Sequence, residues 1–491
     1  MKMFLYNHDF RYAAEQVLLT LYPEERPEYP EGKPEGDRAE LYLYESSKNF
    51  TAFCRLILNG KEFIGRSATA KSKITDEITR ARYLQKIVKL SFYHASLNSG
   101  IKKPVWGSLT GIRPGKLMSN LLEEGLSDKA ALTRFISEYD VSRERAMLCL
   151  HTAHAGLNCS SSLKKNDICL YVGIPFCPTR CSYCSFVSQS VQKSMKLIPD
   201  YLNALYREID ATAKVIKELQ LRPVSVYMGG GTPTTLSAAQ LDDLCSQIET
   251  SFDLSSLREY TVEAGRPDTI SIEKLEVLAR HGVTRVSVNP QTMDDAVLEA
   301  IGRKHTAQDI IDALDKVRNV GGFEVNMDLI AGLPLDTPQS FSKTLEKVLN
   351  LNPENITIHT LALKKGSKIT LGDTPRPSSA DVSKMIDDAN RILFSSNFEP
   401  YYLYRQKYMS GGFENIGWQR THTENLYNIC IMEELCSIIS MGGGASTKLC
   451  AENGRIERIF NPKYPAEYID SIEKIILDKT KIKEILNAAS T

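Results

Sequence analysis

The run Leu170-Tyr-Val-Gly-Ile-Pro-Phe-Cys-Pro-Thr-Arg-Cys-Ser-Tyr-Cys-Ser-Phe186 puts Cys177, Cys181 and Cys184 in a CxxxCxxC loop directly behind an apolar, strand-like segment. A cubic four-iron cluster needs one ligand per iron, so three cysteines around one corner leave the fourth iron open to an outside molecule. An open iron can bind and activate a substrate. The competing reading is a structural zinc site completed by Cys169 or a remote histidine. Zinc ribbons bring paired CxxC knuckles, however, and this chain has no second knuckle. The remaining cysteines, at positions 54, 149, 159, 169, 245, 430, 436 and 450, are scattered and read as small buried hydrophobes.

Outward from this loop, short apolar strands alternate with amphipathic stretches. Ile168 to Ile174, Val224 to Met228, Glu259 to Ala264, Arg285 to Pro290, Glu324 to Ile330 and Asn355 to Leu361 read as strands, with helices such as Ile198 to Leu219 and Ala238 to Glu249 between them. Strands joined by helical crossovers imply a parallel sheet. Six βα units suit an α/β partial barrel, and in such folds functional groups gather at the carboxyl ends of the strands. The cysteine loop and Gly229-Gly-Gly231 both follow strands, so both are expected on that rim. Three consecutive glycines there let backbone approach a ligand closely.

Residues 166–375 would form the barrel, residues 1–165 a separate α+β domain, and residues 376–491 a helical and mixed segment across the barrel's open end. A polar linker is expected over Asn158 to Asp167, and Met441 to Thr447 reads as a small-residue turn. Between Lys61 and Lys116 there are 12 Lys or Arg against 3 Asp or Glu, a stripe that reads first as a solvated face and second as a dock for an anionic substrate or RNA. Trp106 to Lys116, rich in glycine and proline, lacks the spacing of a phosphate loop.

Across all 491 residues, Lys plus Arg balance Asp plus Glu at 60 each, so no global field selects nucleic acid or membrane. Asp9 and Arg11 interrupt the start where a secretory peptide needs an apolar stretch, and no later segment offers ~18 consecutive apolar residues. A cytoplasmic setting is expected, reducing enough to keep eleven cysteines as thiols and low in oxygen if the cluster is exposed.

Beyond the cysteine loop, Tyr171-Val-Gly-Ile-Pro-Phe-Cys177, Gly229-Gly-Gly-Thr-Pro-Thr234, Val262-Glu263, Val288-Asn-Pro-Gln291, Gly302-Arg-Lys-His305 and Asn326-Met-Asp-Leu-Ile-Ala-Gly-Leu-Pro334 together resemble the radical S-adenosylmethionine superfamily. Within it, the chain is similar to the oxygen-independent coproporphyrinogen III oxidase-like group, and to the branch called HemZ. The resemblance implies a [4Fe-4S] cluster on Cys177, Cys181 and Cys184. It also implies an S-adenosylmethionine pocket lined by Tyr171, Tyr183, Gly230, Gly231, Thr232, Glu263, Gln291, Arg303, Asp328 and, through its backbone, Ala362. A permanent, bidentate donor such as Arg303 is what a carboxylate site prefers. The implied reaction turns propionates of coproporphyrinogen III into vinyl groups, with a reducing partner such as flavodoxin or ferredoxin. No specific catalytic residue is implied.

Two positions depart from the coproporphyrinogen oxidases: Phe186 stands where they carry a further cysteine, and Gly173 where they carry histidine. Phenylalanine at the first of these also occurs in the haem-chaperone branch. A haem carrier is thus the alternative, with His359, His422 or Cys430 as axial ligands. An RNA-modifying radical enzyme is the third reading, disfavoured because no aromatic residues interleave the cations as stacking platforms.

Overall fold

A computed structural model describes residues 1–184, 189–190, 195–362, 375–406, 412–451 and 455–487. Phe186 therefore lies outside the described residues. The chain divides into two compact units, Met1–Leu150 with Arg405–Phe413, and His151–Tyr404 with Glu414–Thr491.

In the first unit, β1 (Lys2–Tyr6), β2 (Arg38–Glu45), β3 (Asn49–Leu58) and β4 (Lys61–Ala70) form one sheet in that order, with β1 parallel to β2 and the other pairs antiparallel. Alternation along β3 sends Phe50, Ala52, Cys54 and Leu56 inward. They share a core with Val17 and Leu18 of helix Arg11–Leu21 and with Leu84, Val88 and Phe92 of helix Glu77–Asn98. The latter helix starts where the Asp76 carboxylate accepts the Thr79 amide at 2.8 Å. Three cations of the basic stripe are met by acids from outside it: Lys71, Lys86 and Lys103 pair with Glu45, Glu138 and Asp140. The Trp106 segment is held structurally: Trp106 is buried under the Arg405 guanidinium, which also donates to the Leu109 carbonyl at 2.5 Å.

In the second unit, β5 (Asp167–Ile174) leads into the short β6 (Phe176–Cys177), which pairs with β7 (Gln189–Ser190). Then come β8 (Arg222–Gly230), β9 (Glu259–Glu263), β10 (Arg285–Ser287), β11 (Glu324–Ala331) and β12 (Asn355–Thr360). The order β5-β8-β9-β10-β11-β12 is parallel throughout, as the alternation of strands and helices requires. Hydroxyl caps start the crossover helices: Ser237, Thr306 and Thr337 each form a reciprocal capping box ahead of Ala238–Ser251, Ala307–Val320 and Pro338–Asn350.

The C-terminal segment adds strands to both edges of this sheet. β13 (Glu399–Arg405) and β14 (Glu414–Gln419) extend it beyond β12, with β14 antiparallel to that strand. β15 (Ser437–Gly442), β16 (Ser446–Cys450) and β17 (Ile456–Phe460) extend it beyond β5, with β15 parallel to β5. The strand that feeds the cysteine loop is thus an interior strand, buried along nearly its whole length. The expected linker over Asn158 to Asp167 is helical as far as Ser162, because helix Arg143–Ser162 continues with Cys159 buried and the Ser161 and Ser162 hydroxyls returning to carbonyls of its last turn. Among the described residues, no helix is long and apolar enough to cross a membrane.

A fully buried carboxylate fixes the outer neighbour of β5. Glu208 accepts the Gly442 amide and the Asn461 side chain at 2.8 Å each, the Tyr468 hydroxyl at 2.5 Å and the Lys479 ammonium at 2.7 Å. The Tyr201 hydroxyl donates to the Gly173 carbonyl at 2.6 Å and accepts the Gly443 amide at 2.7 Å. Gly442, at φ +95°, lies so close to Gly173 that a Cβ would stand 2.3 Å from the Gly173 oxygen. At Gly173 itself, an added Cβ would meet the Gly443 oxygen at 3.1 Å, a tight contact on the same pairing. Gly442→Ala is expected to cost about 2–4 kcal/mol of stability, measured as a lower urea midpoint with an unchanged denaturant slope.

Candidate functional site

The close approach of two loops builds the site. The Gly231 amide donates to the Ile174 carbonyl at 2.8 Å and the Thr232 amide to the Phe176 carbonyl at 2.7 Å, which clamps the glycine turn after β8 against the start of the cysteine loop. A Cβ on Gly231 would lie 2.5 Å from the Phe176 oxygen, and one on Gly229 would lie 2.8 Å from the Glu263 carboxyl carbon. Side chains are therefore excluded from this turn by backbone on one side and a carboxylate on the other. The Thr232 hydroxyl reaches the Cys177 sulfur at 3.6 Å.

Cations face the same loop. The Arg266 guanidinium, buried after β9, contacts the Cys181 sulfur at 3.7 Å while a bidentate pairing with Asp268 orients it. Arg303 is also buried; it donates to the Asn289 carbonyl at 2.8 Å and the Tyr183 hydroxyl at 3.1 Å, and its Nε has no partner among the described residues. Burial and the charges of Arg303 and Arg266 push His305 down to about 4, so its imidazole is neutral at pH 7. The Ser182 amide and hydroxyl both donate to the Ile301 carbonyl at 3.0 Å, fixing the loop between Cys181 and Cys184.

Two carboxylates occupy the next strands. Glu263, at the end of β9, accepts the Tyr227 hydroxyl at 2.7 Å and the Gly230 amide at 3.2 Å. Burial and the nearby Asp328 charge push its carboxyl up to about 7. For Asp328 in β11, burial opposes the charge, but His359, Asn326 and Thr357 overcome it and hold the carboxyl below its ordinary range. Gln291 has φ +68° and brackets β11, its amide donating to the Asp328 carbonyl and its carbonyl accepting the Ile330 amide. The Tyr171 ring stacks on Tyr227 and Tyr427, and those two stack on each other at 4.4 Å.

The structure thus brings together Tyr171, Tyr183, the Gly230 to Thr232 turn, Glu263, Gln291, Arg303, Asp328 and the cysteine loop at one rim of one sheet. Ala362 follows β12 on that rim, the last residue described before position 363. Cys169 does not complete the loop's donor set; it lies in contact with Cys436, at 3.7 Å between sulfurs. Sequence reading missed Arg266, Asn289 and Tyr227. Their signal was position, within three residues of a strand end already assigned to the site, and for Asn289 also its place in the motif Val288 to Gln291.

The model of the radical SAM superfamily matches residues 171–348. The Bacillus subtilis oxygen-independent coproporphyrinogen-III oxidase-like protein HemZ is 38% identical over 385 residues, 77% of each chain. The heme chaperone HemW of the same organism is 36% identical over 195 residues, 40% of this chain and 50% of that one. The solved structure of the Escherichia coli radical SAM enzyme coproporphyrinogen III oxidase, HemN, shares the fold with a TM-score of 0.52 and 23% identity, covering 65% of this chain and 72% of that one. The chain belongs to the radical SAM superfamily and, within it, to the HemZ branch of the oxygen-independent coproporphyrinogen III oxidase-like group. Its cofactors are accordingly a [4Fe-4S] cluster and S-adenosylmethionine. The rim suits them: three thiols in one loop, a cation at the middle thiol, backbone without side chains beside it, and a buried guanidinium with an unused donor.

Because the folded Glu263 carboxyl titrates above its ordinary value of 4.5, its contribution to stability is complete below that value and lost as pH rises through about 7. In apoprotein, Glu263→Gln should remove a pH-dependent loss on the order of 2 kcal/mol between pH 5 and 8. Urea melts of both proteins across that range check the sign: a wild type that gains stability over the same interval contradicts it.

Proposed function

We propose that Cys177, Cys181 and Cys184 ligate three irons of the cluster, and that the protein performs oxygen-independent oxidative decarboxylation of coproporphyrinogen III to protoporphyrinogen IX. When bound, the reduced cluster supplies one electron to the sulfonium of S-adenosylmethionine, which yields methionine and a hydrogen-abstracting 5'-deoxyadenosyl radical. The observation that carries the cofactor assignment is the clamp between the cysteine loop and the Gly229 to Gly231 turn. Support for the substrate comes from the HemZ relative, whose name is oxidase-like and whose match spans 77% of both chains.

The chain's own residues then have distinct tasks. Arg266 offsets negative charge at Cys181 and so favours the cluster's gain of an electron. The Gly229 to Gly231 backbone offers amides and carbonyls to the amino-acid end of the ligand. Glu263 and Asp328 accept hydrogen bonds from ammonium or ribose, and an arriving ammonium draws Glu263 into its charged form. Arg303 holds a carboxylate. Each propionate loses a hydrogen atom, carbon dioxide and one electron to become vinyl, so an electron acceptor is needed as well as a reductant.

The HemW match favours haem carriage as the second reading, over a smaller share of the chain. Of the axial candidates, His422 is exposed, His359 faces Asp328, and Cys430 is buried among other sulfurs.

Anaerobic turnover of reconstituted protein with reductant, S-adenosylmethionine and coproporphyrinogen III is expected to give deoxyadenosine and a vinyl product of matching mass loss. Abundant deoxyadenosine with unchanged porphyrinogen rejects this substrate, and stoichiometric haem uptake in its place supports the carrier. Cys181→Ala is expected to lose the brown chromophore and deoxyadenosine formation together, each by at least about tenfold; retention of either overturns its role as a ligand.

A further inference from the structure

A second set of cysteines converges away from the CxxxCxxC loop. The sulfurs of Cys169, Cys430 and Cys436 all lie within 4.8 Å of one another, and all three residues are buried. Cys159 stands beside Cys430 but outside this trio. Four separate pieces of chain bring them in: helix Arg143–Ser162 carries Cys159, β5 carries Cys169, helix Leu426–Glu433 carries Cys430, and Cys436 precedes β15. Glu434 takes the left-handed conformation at the end of the third of these, and the Leu435 amide returns to the Cys430 carbonyl, which folds Cys436 back over Cys430. Pairing of Ser437 with Ile168 then sets Cys436 beside Cys169. The surround is apolar, with Val224, Tyr401, Leu426, Tyr427 and Ile438 in the same cluster.

We infer that Cys169, Cys430 and Cys436, with Cys159 beside Cys430 turning in as the fourth donor, form a tetrathiolate site for one zinc ion, separate from the iron–sulfur cluster. Spacing argues for a single ion. Two sulfurs at 2.3 Å from zinc and at the tetrahedral angle stand about 3.8 Å apart, and Cys169 and Cys436 stand at 3.7 Å. That separation is far beyond the 2.05 Å of a disulfide. A cubane carries each thiolate on a different iron and spreads them more widely; among the described residues, Cys177, Cys181 and Cys184 do not form a group as tight as the second set. Ordinary core cysteines pack as isolated small hydrophobes, whereas here three sulfurs from the barrel's first strand and its C-terminal edge meet, and a helix from before the barrel brings a fourth cysteine alongside. Binding zinc releases the thiol protons and ties these three regions together, so the metal acts on folding.

The test uses the full chain carrying Cys177→Ala, Cys181→Ala and Cys184→Ala, so that loss of the iron cluster, and failure of the proposed catalysis, leave it untouched. Elemental analysis is expected to give one zinc per chain and no iron, and adding Cys430→Ser with Cys436→Ser is expected to lower zinc at least about tenfold. Should that variant fail to fold, zinc-edge X-ray absorption of the unmodified protein provides the second measurement, with four sulfur scatterers at about 2.3 Å expected. A folded protein without zinc whose four thiols all alkylate only on unfolding, a Cys169–Cys436 disulfide, a second iron cluster, or zinc bound through nitrogen or oxygen each overturns the proposal.

Discussion

The contact between Gly231 and the backbone of Ile174 and Phe176 is the constraint on which the rest of the site depends. It allows two strand-to-helix loops, from β5 and β8, to lie against each other through main-chain hydrogen bonds of 2.7 and 2.8 Å, with no side chain between them. Because β5 and β8 are parallel neighbours, their carboxyl ends arrive together, and the clamp converts that general property of parallel sheets into a fixed relation between cysteines and glycines. Glu263 closes the opposite side of the turn from β9, so three consecutive strands define its walls.

Electrostatics divides the rim in two. Beside the cysteine loop stand Arg266 and Arg303, both buried, with the neutral His305 behind them. Along β9 and β11 stand Glu263 and Asp328, one pushed up by burial and a like charge, the other held down by its polar neighbours. A ligand with both an acidic and a basic group, such as the amino-acid moiety of S-adenosylmethionine, meets opposite fields at the two sides. Mutual repulsion keeps Glu263 and Asp328 from sharing full charge easily until a cation joins them.

The sequence made the parallel strands legible because each is a short apolar run followed by a capped amphipathic helix, and both periods are local. The strand ends were legible for the same reason, whereas Glu263, Gln291 and Asp328 were singled out by the resemblance of the motifs that contain them. Arg266 was not, since a polar residue in a loop reads as solvated until the fold buries it. Of the edge strands, β15 escaped notice because its place depends on a pairing more than 200 residues distant, as of Ile438 with Cys169, and β14 because it pairs with β12 across an intervening helix and strand, as of Trp418 with Ile356, which no short window along the chain can see. The same distance hid the meeting of Cys169 with Cys436, 267 residues apart. In the other direction, the excess of lysine and arginine between Lys61 and Lys116 read first as a solvated face and second as an anion dock, while acids that pair with Lys71, Lys86 and Lys103 lie before and after that window.

The strand behind the cysteine loop acquires its outer neighbour only from residues 437–442, and the Glu208 carboxylate that seats this neighbour waits for Asn461, Tyr468 and Lys479. During synthesis on the ribosome, the cysteines at 177, 181 and 184 emerge almost three hundred residues before the last of these partners. The order of translation therefore separates the appearance of the thiols from the completion of the sheet that presents them, and leaves the final setting of that strand to segments made long after it.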